Sequence, residues 1–480
     1  MTRRRLLALL GAGCLALAGG VWVLRARPFA RAPRRVKVEA MPGWAGFNDR
    51  QREGLLMIAS DALELGGGTL LNRLPDGAPR PAGTGLLRLE ARREGDVLRL
   101  RGEWTSPKGV DQTFEWADPD PRQNLQRMAS DLGFASPDLA SLLPSEGQDL
   151  VPAAEALATV ISGSDAEVAT LEPQVASLAA REPSSSLAAL IQAQGLYRSL
   201  LVSAPADFDS QIAARRGFLR SLSLLPGYPR ACTYYARFLT DIGDQREALE
   251  LAFEGVRIHP ASPDLLGALA YAARTTGLLE GARRALDRQR RLQGSDEPMR
   301  NLTENTWLYL GEWKRFGELL GQGSEELRDP LTDFYRGYLK LLQGRGPEAM
   351  PFFRRAENGG GTSSQFEALA GVYLLALEGR DGEARARLRD LESLRTQVRV
   401  PDGEYTFKLA EAHAYLGEIP EALDGAVRAA SQGFGCTSWY EGSPLLKPIR
   451  GLPRWQALIQ HLRERQLLME SRFPASRFGP

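Results

Sequence analysis

Only three histidines occur among the 480 residues, His259, His413 and His461. Catalysis at neutral pH asks for a tunable acid or base beside a nucleophile or a metal. His259 stands directly before Pro260, and the other two lie in stretches with helical spacing, so all three read as structural. No HExxH motif is present, which excludes the zincin arrangement. Cys14, Cys232 and Cys436 are widely separated and form no CxxC pair, so the fold depends on neither zinc nor disulfides. Gly66-Gly67-Gly68-Thr69 and Gly359-Gly360-Gly361-Thr362 lack the lysine of a phosphate loop and read as helix stops. Asp118 and Asp120 could suggest a cation site, but their alternation with Pro119 and Pro121 ahead of a helical stretch reads as helix capping. Asn301-Leu302-Thr303 matches a glycosylation triplet by pattern alone. These residue types and spacings supply no catalytic residue, no metal site and no cofactor.

The elements that would carry a binding function are marked by glycines. Gly243, Gly277, Gly311, Gly344, Gly379 and Gly417 follow one another at intervals of 34, 34, 33, 35 and 38 residues. Five residues after each comes Ala248, Ala282, Phe316, Ala349, Ala384 or Ala422. A period near 34 marks stacked helix pairs, each too small to bury its own apolar face. The glycine suits a sharp stop with positive φ after the first helix, and the small residue lets the second helix approach closely. The third unit departs, with Glu304 where the first helix wants a small residue and Phe316 in the second. Trp307, Tyr309 and Trp313 flank that break, which is where a bend or a specialised contact is expected.

The stretch PRACTYYARFLTDIGDQREALELAFEGVRIHP, Pro229 to Pro260, resembles a tetratricopeptide repeat closely. Ala236 is small in the first helix, GDQREAL spans the turn, Ala252 lies in the second helix and Pro260 closes the unit. The tail WYEGSPLLKPIRGLPRWQALIQHLRER, Trp439 to Arg465, is similar to the closing segment common after such arrays in bacteria, with Arg463, Glu464 and Arg465 giving a polar outer face. The resemblance implies a right-handed α-solenoid whose concave face is lined by the first helices, at positions six, three and two before each turn glycine. Those positions give a groove of Arg237, Tyr271, Arg274, Asn305, Tyr309 and Tyr338, suited to a peptide or carboxylate. The lysine/asparagine clamp of chaperone-tail-binding repeats is not matched.

Residues 36–135 read as a separate α/β module. Val36 to Ala40 alternates as a strand, and Asn48 to Leu65 carries apolar residues at helical spacing between Asn48 as cap and the glycine stop. Leu86 to Arg101 folds back on itself around Arg93-Glu94-Gly95-Asp96, Val110 to Trp116 adds a third arm, and a helix follows through Leu132. The pattern GLLRLEARREGDVLRLRGEWTSPKGVDQTFEWADPDPRQNLQRMASDLGF (residues 85–134) resembles the small module related to the flagellar FlgO and curli CsgG proteins. The chain departs from that pattern between Leu74 and Gly85, where a Pro/Gly stretch replaces the usual helix. The resemblance implies a fold and a membrane-side neighbourhood rather than an activity.

Nine of the 60 basic residues fall within the first 37 positions, which hold no acid, so the rest of the chain is net acidic. That balance argues against nucleic acid as a partner, because phosphate binding needs a basic field. Between Arg5 and Arg25 runs LLALLGAGCLALAGGVWVL, 19 residues without a charge, close to the ~20 that cross a bilayer as a helix. A cleaved export signal would also fit. The basic residues Arg25 to Lys37 could lie on anionic lipid headgroups.

The expectation is therefore a mainly α protein, a tetratricopeptide solenoid preceded by a small α/β domain and an N-terminal transmembrane or signal helix. Residues 1–35 form the anchor with its basic flanks, 36–135 the α/β module, and 136–228 degenerate leading repeats. The array spans 229–433, and capping helices fill 434–480. The expected function is a non-catalytic scaffold, held to a membrane through residues 6–24 with a periplasmic soluble part, binding a protein or peptide segment. A receptor-like signalling component, or an enzyme with a site between the module and the first repeats, would be the other classes.

Overall fold

The computed structural model describes residues 34–479 apart from 45, 72–80, 95–96, 136–138, 203–207, 294–304, 322–329, 360–363, 398–399 and 401. The anchor expected at residues 6–24 lies outside the described residues, as do the Gly95-Asp96 turn, Glu304 and most of the second glycine-rich motif. Among the described residues no helix is long and apolar enough to cross a membrane.

The N-terminal module is a five-stranded mixed sheet of β1 (Arg34–Ala40), β2 (Gly68–Leu70), β3 (Thr84–Glu94), β4 (Val97–Thr105) and β5 (Asp111–Trp116), in the order β2-β1-β3-β4-β5. β1 runs parallel to both β2 and β3, while β3, β4 and β5 are antiparallel. Between β1 and β2 lies helix α1 (Asp49–Leu65), started by a capping box of Asn48 and Gln51. Gly66 ends that helix, as its sequence suggested, but the following Gly68-Thr69-Leu70 pairs with β1 as a short parallel strand. After β5, Asp120 caps α2 (Pro121–Asp131) by accepting from the Arg122 amide at 2.9 Å, and Asp118 accepts from the Asp120 amide at 3.0 Å. The hydrogen bond from Arg122, chiefly, holds the Asp120 carboxyl below its ordinary range. Both aspartates thus serve the helix start.

Alternation gives the sheet two unlike faces. Val36, Val38, Leu87, Leu89, Ala91, Leu100, Trp104 and Trp116 are buried on the helix side. Lys37, Glu39, Arg88, Glu90, Arg92, Arg99, Arg101, Glu103 and Glu115 stand on the other.

Among the described residues sixteen helices follow in eight pairs. α3 (Leu150–Ser162) with α4 (Asp165–Arg181), and α5 (Ser186–Val202) with α6 (Phe208–Leu224), lead into the array. Units one to six are then α7 (Pro229–Asp241) with α8 (Gln245–Ile258), α9 (Pro263–Thr275) with α10 (Leu279–Gln293), and α11 (Asn305–Tyr309) with α12 (Trp313–Gly321). After them come α13 (Pro330–Leu342) with α14 (Gly346–Glu357), α15 (Ser364–Leu377) with α16 (Asp381–Gln397), and α17 (Gly403–Tyr415) with α18 (Ile419–Ser431). Each turn glycine has positive φ, from 72° at Gly344 to 92° at Gly243. The residue five places on is fully buried in every unit, Phe316 included.

One core runs through the module and the array. α1 lies against α3 so closely that a Cβ on Gly54 would stand 1.7 Å from the Ala154 carbonyl oxygen. The same helix meets unit one through Asp61, which accepts from the Tyr228 hydroxyl at 2.5 Å and from Arg230 at 2.6 and 2.9 Å. One turn on, burial first and Asp264 next push the Glu64 carboxyl up to about 8.

Candidate functional site

Of the six residues expected to line an open groove, Arg274, Asn305, Tyr309 and Tyr338 are buried against a later helix of the chain. α17, the first helix of unit six, is buried from Gly403 to Ala414. Its residues Glu404, Lys408 and Glu411, at i, i+4 and i+7, share one face. Arg274 of unit two pairs with Glu404 at 2.6 Å, the two side chains being 0% and 7% exposed. Asn305 of unit three donates to the same carboxylate at 2.9 Å, and the Tyr309 hydroxyl at 2.5 Å. In unit four, Tyr338 donates to Glu411 at 2.5 Å, and Ser443 from the C-terminal segment does so on the other oxygen. Tyr271 of unit two donates to Asp241 of unit one, which also accepts from Tyr197 of α5. Arg237 and Tyr271 are half-buried, and the Arg237 guanidinium lies over the Tyr234 ring at 5.7 Å.

This corrects the expected open groove: Arg274, Asn305, Tyr309 and Tyr338 are buried, and each bonds to Glu404 or Glu411 of the chain's own helix. The electrostatics follow from that enclosure. Burial alone would raise the Glu404 carboxyl, but Arg274, Lys408 and the bonds from Tyr309 and Asn305 outweigh it and hold it below the ordinary range. Lys408 is fully buried and its ammonium finds no hydrogen-bond acceptor among the described residues. It lies over the rings of Tyr338, Tyr335 and Tyr309 at 4.4, 5.3 and 5.8 Å, so ring faces and two nearby carboxylates replace water. Burial lowers its pKa, and burial raises that of Glu411 despite Lys408 nearby. Asp241 is pushed up to about 7, by burial first and by Asp402 second. Asp402 precedes α17 and caps it; at φ 46° it is the one non-glycine with positive φ among the described residues.

Closure of the array brings α17 to the centre. The Gly435 amide after unit six donates to the Thr275 carbonyl of unit two at 2.7 Å. Gly433 packs so tightly on Gly243 of unit one that a Cβ there would come within 2.8 Å of the Gly243 Cα. Beyond α19 (Thr437–Gly442), the final helix α20 (Pro453–Arg472) continues across the seam. Arg465, expected on an outer polar face, turns inward instead and donates to Gln245, Ala430 and Gly433, each at 3.0 Å. Phe473 stacks on Phe253 of unit one at 5.7 Å, Phe478 meets the same ring edge-on at 4.8 Å, and Arg472 pairs with Glu250. The C-terminal segment therefore straps the last unit to the first two.

The rule that gave Tyr271 and Tyr338, six residues before the turn glycine, gives Tyr373 and Glu411 when carried to units five and six. Both are fully buried on the inner side. Glu404 and Lys408 lie further back on α17, and only the i, i+4, i+7 spacing of Glu404, Lys408 and Glu411 in an otherwise apolar helix hints at them.

The groups that could do chemistry are engaged elsewhere. His413 sits 2.8 Å from Glu418 and 3.1 Å from Glu392, whose charges overcome burial and raise its pKa. Burial takes His259 down to about 4 and pushes the thiols of Cys232 and Cys436 up to about 12. Among the described residues no group of three metal-ligating side chains converges.

These helix pairs, with their turn glycines and small packing residues, form a helical-repeat array with the period that the sequence resemblance implied. No family model matches the chain, and no curated protein does. Among solved structures, the TPR domain of P58(IPK) matches at 14% identity, covering 64% of this chain and 95% of that one, with a TM-score of 0.18.

Proposed function

We propose that the protein is a membrane-tethered, non-catalytic scaffold that presents the outward surface of a closed tetratricopeptide ring to a protein partner. The observation behind this reading is the occupation of the inner wall by α17, which leaves the outer faces of the helix pairs as the accessible surface. Tethering through residues 6–24, a periplasmic body and kinship of the α/β module with FlgO and CsgG belong to the same proposal, on the sequence features described above.

In-cell photo-crosslinking tests it. A crosslinker at Glu383, on the outer helix of unit five and 62% exposed, should capture a discrete protein band, whereas one at Lys408 should capture none. Capture only at Lys408 would mean that the ring opens to bind and would sink the outer-face reading. Removal of residues 1–33, which leaves β1 intact, should at the same time shift the protein from the membrane to the soluble fraction.

A further inference from the structure

The α/β module meets the end of unit two, beside the irregular unit three, on a surface rich in basic residues. The Arg35 guanidinium at the start of β1 donates to the Arg291 carbonyl at the end of α10, at 2.7 Å. Next to it, Arg290 and Arg315 both lie over the buried Trp307 ring, at 5.0 and 3.5 Å. Arg290, Lys314, Arg315 and the half-buried Trp313 line one open depression. Lys314 is 92% exposed. Three carboxylates stand among these cations: Glu318 at 3.9 Å from Lys314, and Glu312 and Asp287 at 3.6 and 3.7 Å from Arg315. Among the described residues of this surface Arg35 and Arg291 bring the cations to five against these three.

We propose that this surface, from Arg35 across Arg291 and Arg290 to Lys314, Arg315 and Trp313, rests on the anionic headgroups of a lipid bilayer. The inference rests on the tethering reading above and adds which face of the body meets the membrane. Only nine residues, 25–33, separate the uncharged run from Arg34; fully extended they reach roughly 30 Å. Three of them are arginines, so the tether shares the sign of the surface it leads into. Basic side chains gain from a negative leaflet within a Debye length, and a half-buried tryptophan among them suits the headgroup layer.

The test uses the full chain in proteoliposomes, with Glu318→Cys carrying an environment-sensitive fluorophore. Cys14→Ala removes the one native thiol outside the core, because Cys232 and Cys436 are buried. With about 30% phosphatidylglycerol in phosphatidylcholine, emission should rise about twofold over pure phosphatidylcholine and fall back at ~1 M salt. Lys314→Glu should reduce the rise. Equal emission in both vesicle types, with the protein floating alongside them, overturns the assignment of this face while leaving the tether intact. Failure to float with either overturns both. Emission indifferent to lipid but raised by soluble host protein assigns the face to a protein instead and overturns the proposal.

Discussion

The outer face of the sheet and the inner wall of the array carry the same kinds of residue in two different settings. On the sheet, Arg99 reaches Glu94 at 2.7 Å and Glu115 at 3.5 Å with all three side chains at least 41% exposed. In the array, Arg274 and Glu404 sit at a similar distance with almost no exposure. Water screens the first set, so removing one partner leaves the other solvated. Around α17 the protein itself must supply every partner, and a missing one leaves a charge stranded. An ion pair therefore tells little about stability until its surroundings are known.

The largest effect that would break this contrast is expected at Arg274. Arg274→Ala should destabilise the chain by about 3–5 kcal/mol, read by urea unfolding, because Glu404 keeps its burial and loses its cation. Replacing Arg274 and Glu404 together by methionine should recover most of the loss; a double variant no better than the single one would show that shape, not charge, governs the site.

A second, intermediate effect comes from pH. Glu64 is held near 8 in the fold against an ordinary 4.5. The folded chain keeps a proton that the unfolded chain has released, so this stabilisation is complete below about 4.5 and is lost as pH rises through 8. Glu64→Gln should flatten the decline in stability between pH 5 and 8 by roughly 2–4 kcal/mol, with Asp241 leaving a residual slope below about 7. Unfolding midpoints at the two pH values decide it, and parallel curves for variant and parent would refute it.

The smallest effect belongs to the sheet. Arg99→Ala should change stability by less than about 1 kcal/mol and less still in high salt. A cost near that of Arg274→Ala would erase the distinction altogether.

What the sequence disclosed was local. A turn glycine announces itself because positive φ is a single-residue requirement, and each of the six has it. Asn48, Gly66 and Asp120 were readable as helix boundaries for the same reason. β2 escaped because three residues beginning with glycine carry no alternation long enough to see, and only pairing with β1 makes them a strand. The filled groove escaped because it joins Arg274 to Glu404 across 130 positions. Position rules place Arg274, Asn305 and Tyr338 on the inner wall, but no local pattern says that a later helix will occupy it. The lengthened 38-residue interval before Gly417 is the nearest sequence trace of that unit's different role.

The strap of α20 across units one and two has a thermodynamic consequence. In a linear stack the outermost units have one neighbour each, so melting starts there and runs inward. Here Phe253 and Glu250 of the first unit are covered by Phe473, Phe478 and Arg472 of the last segment. Such an array has no frayed margin from which to unzip, and its units should melt together as one cooperative body.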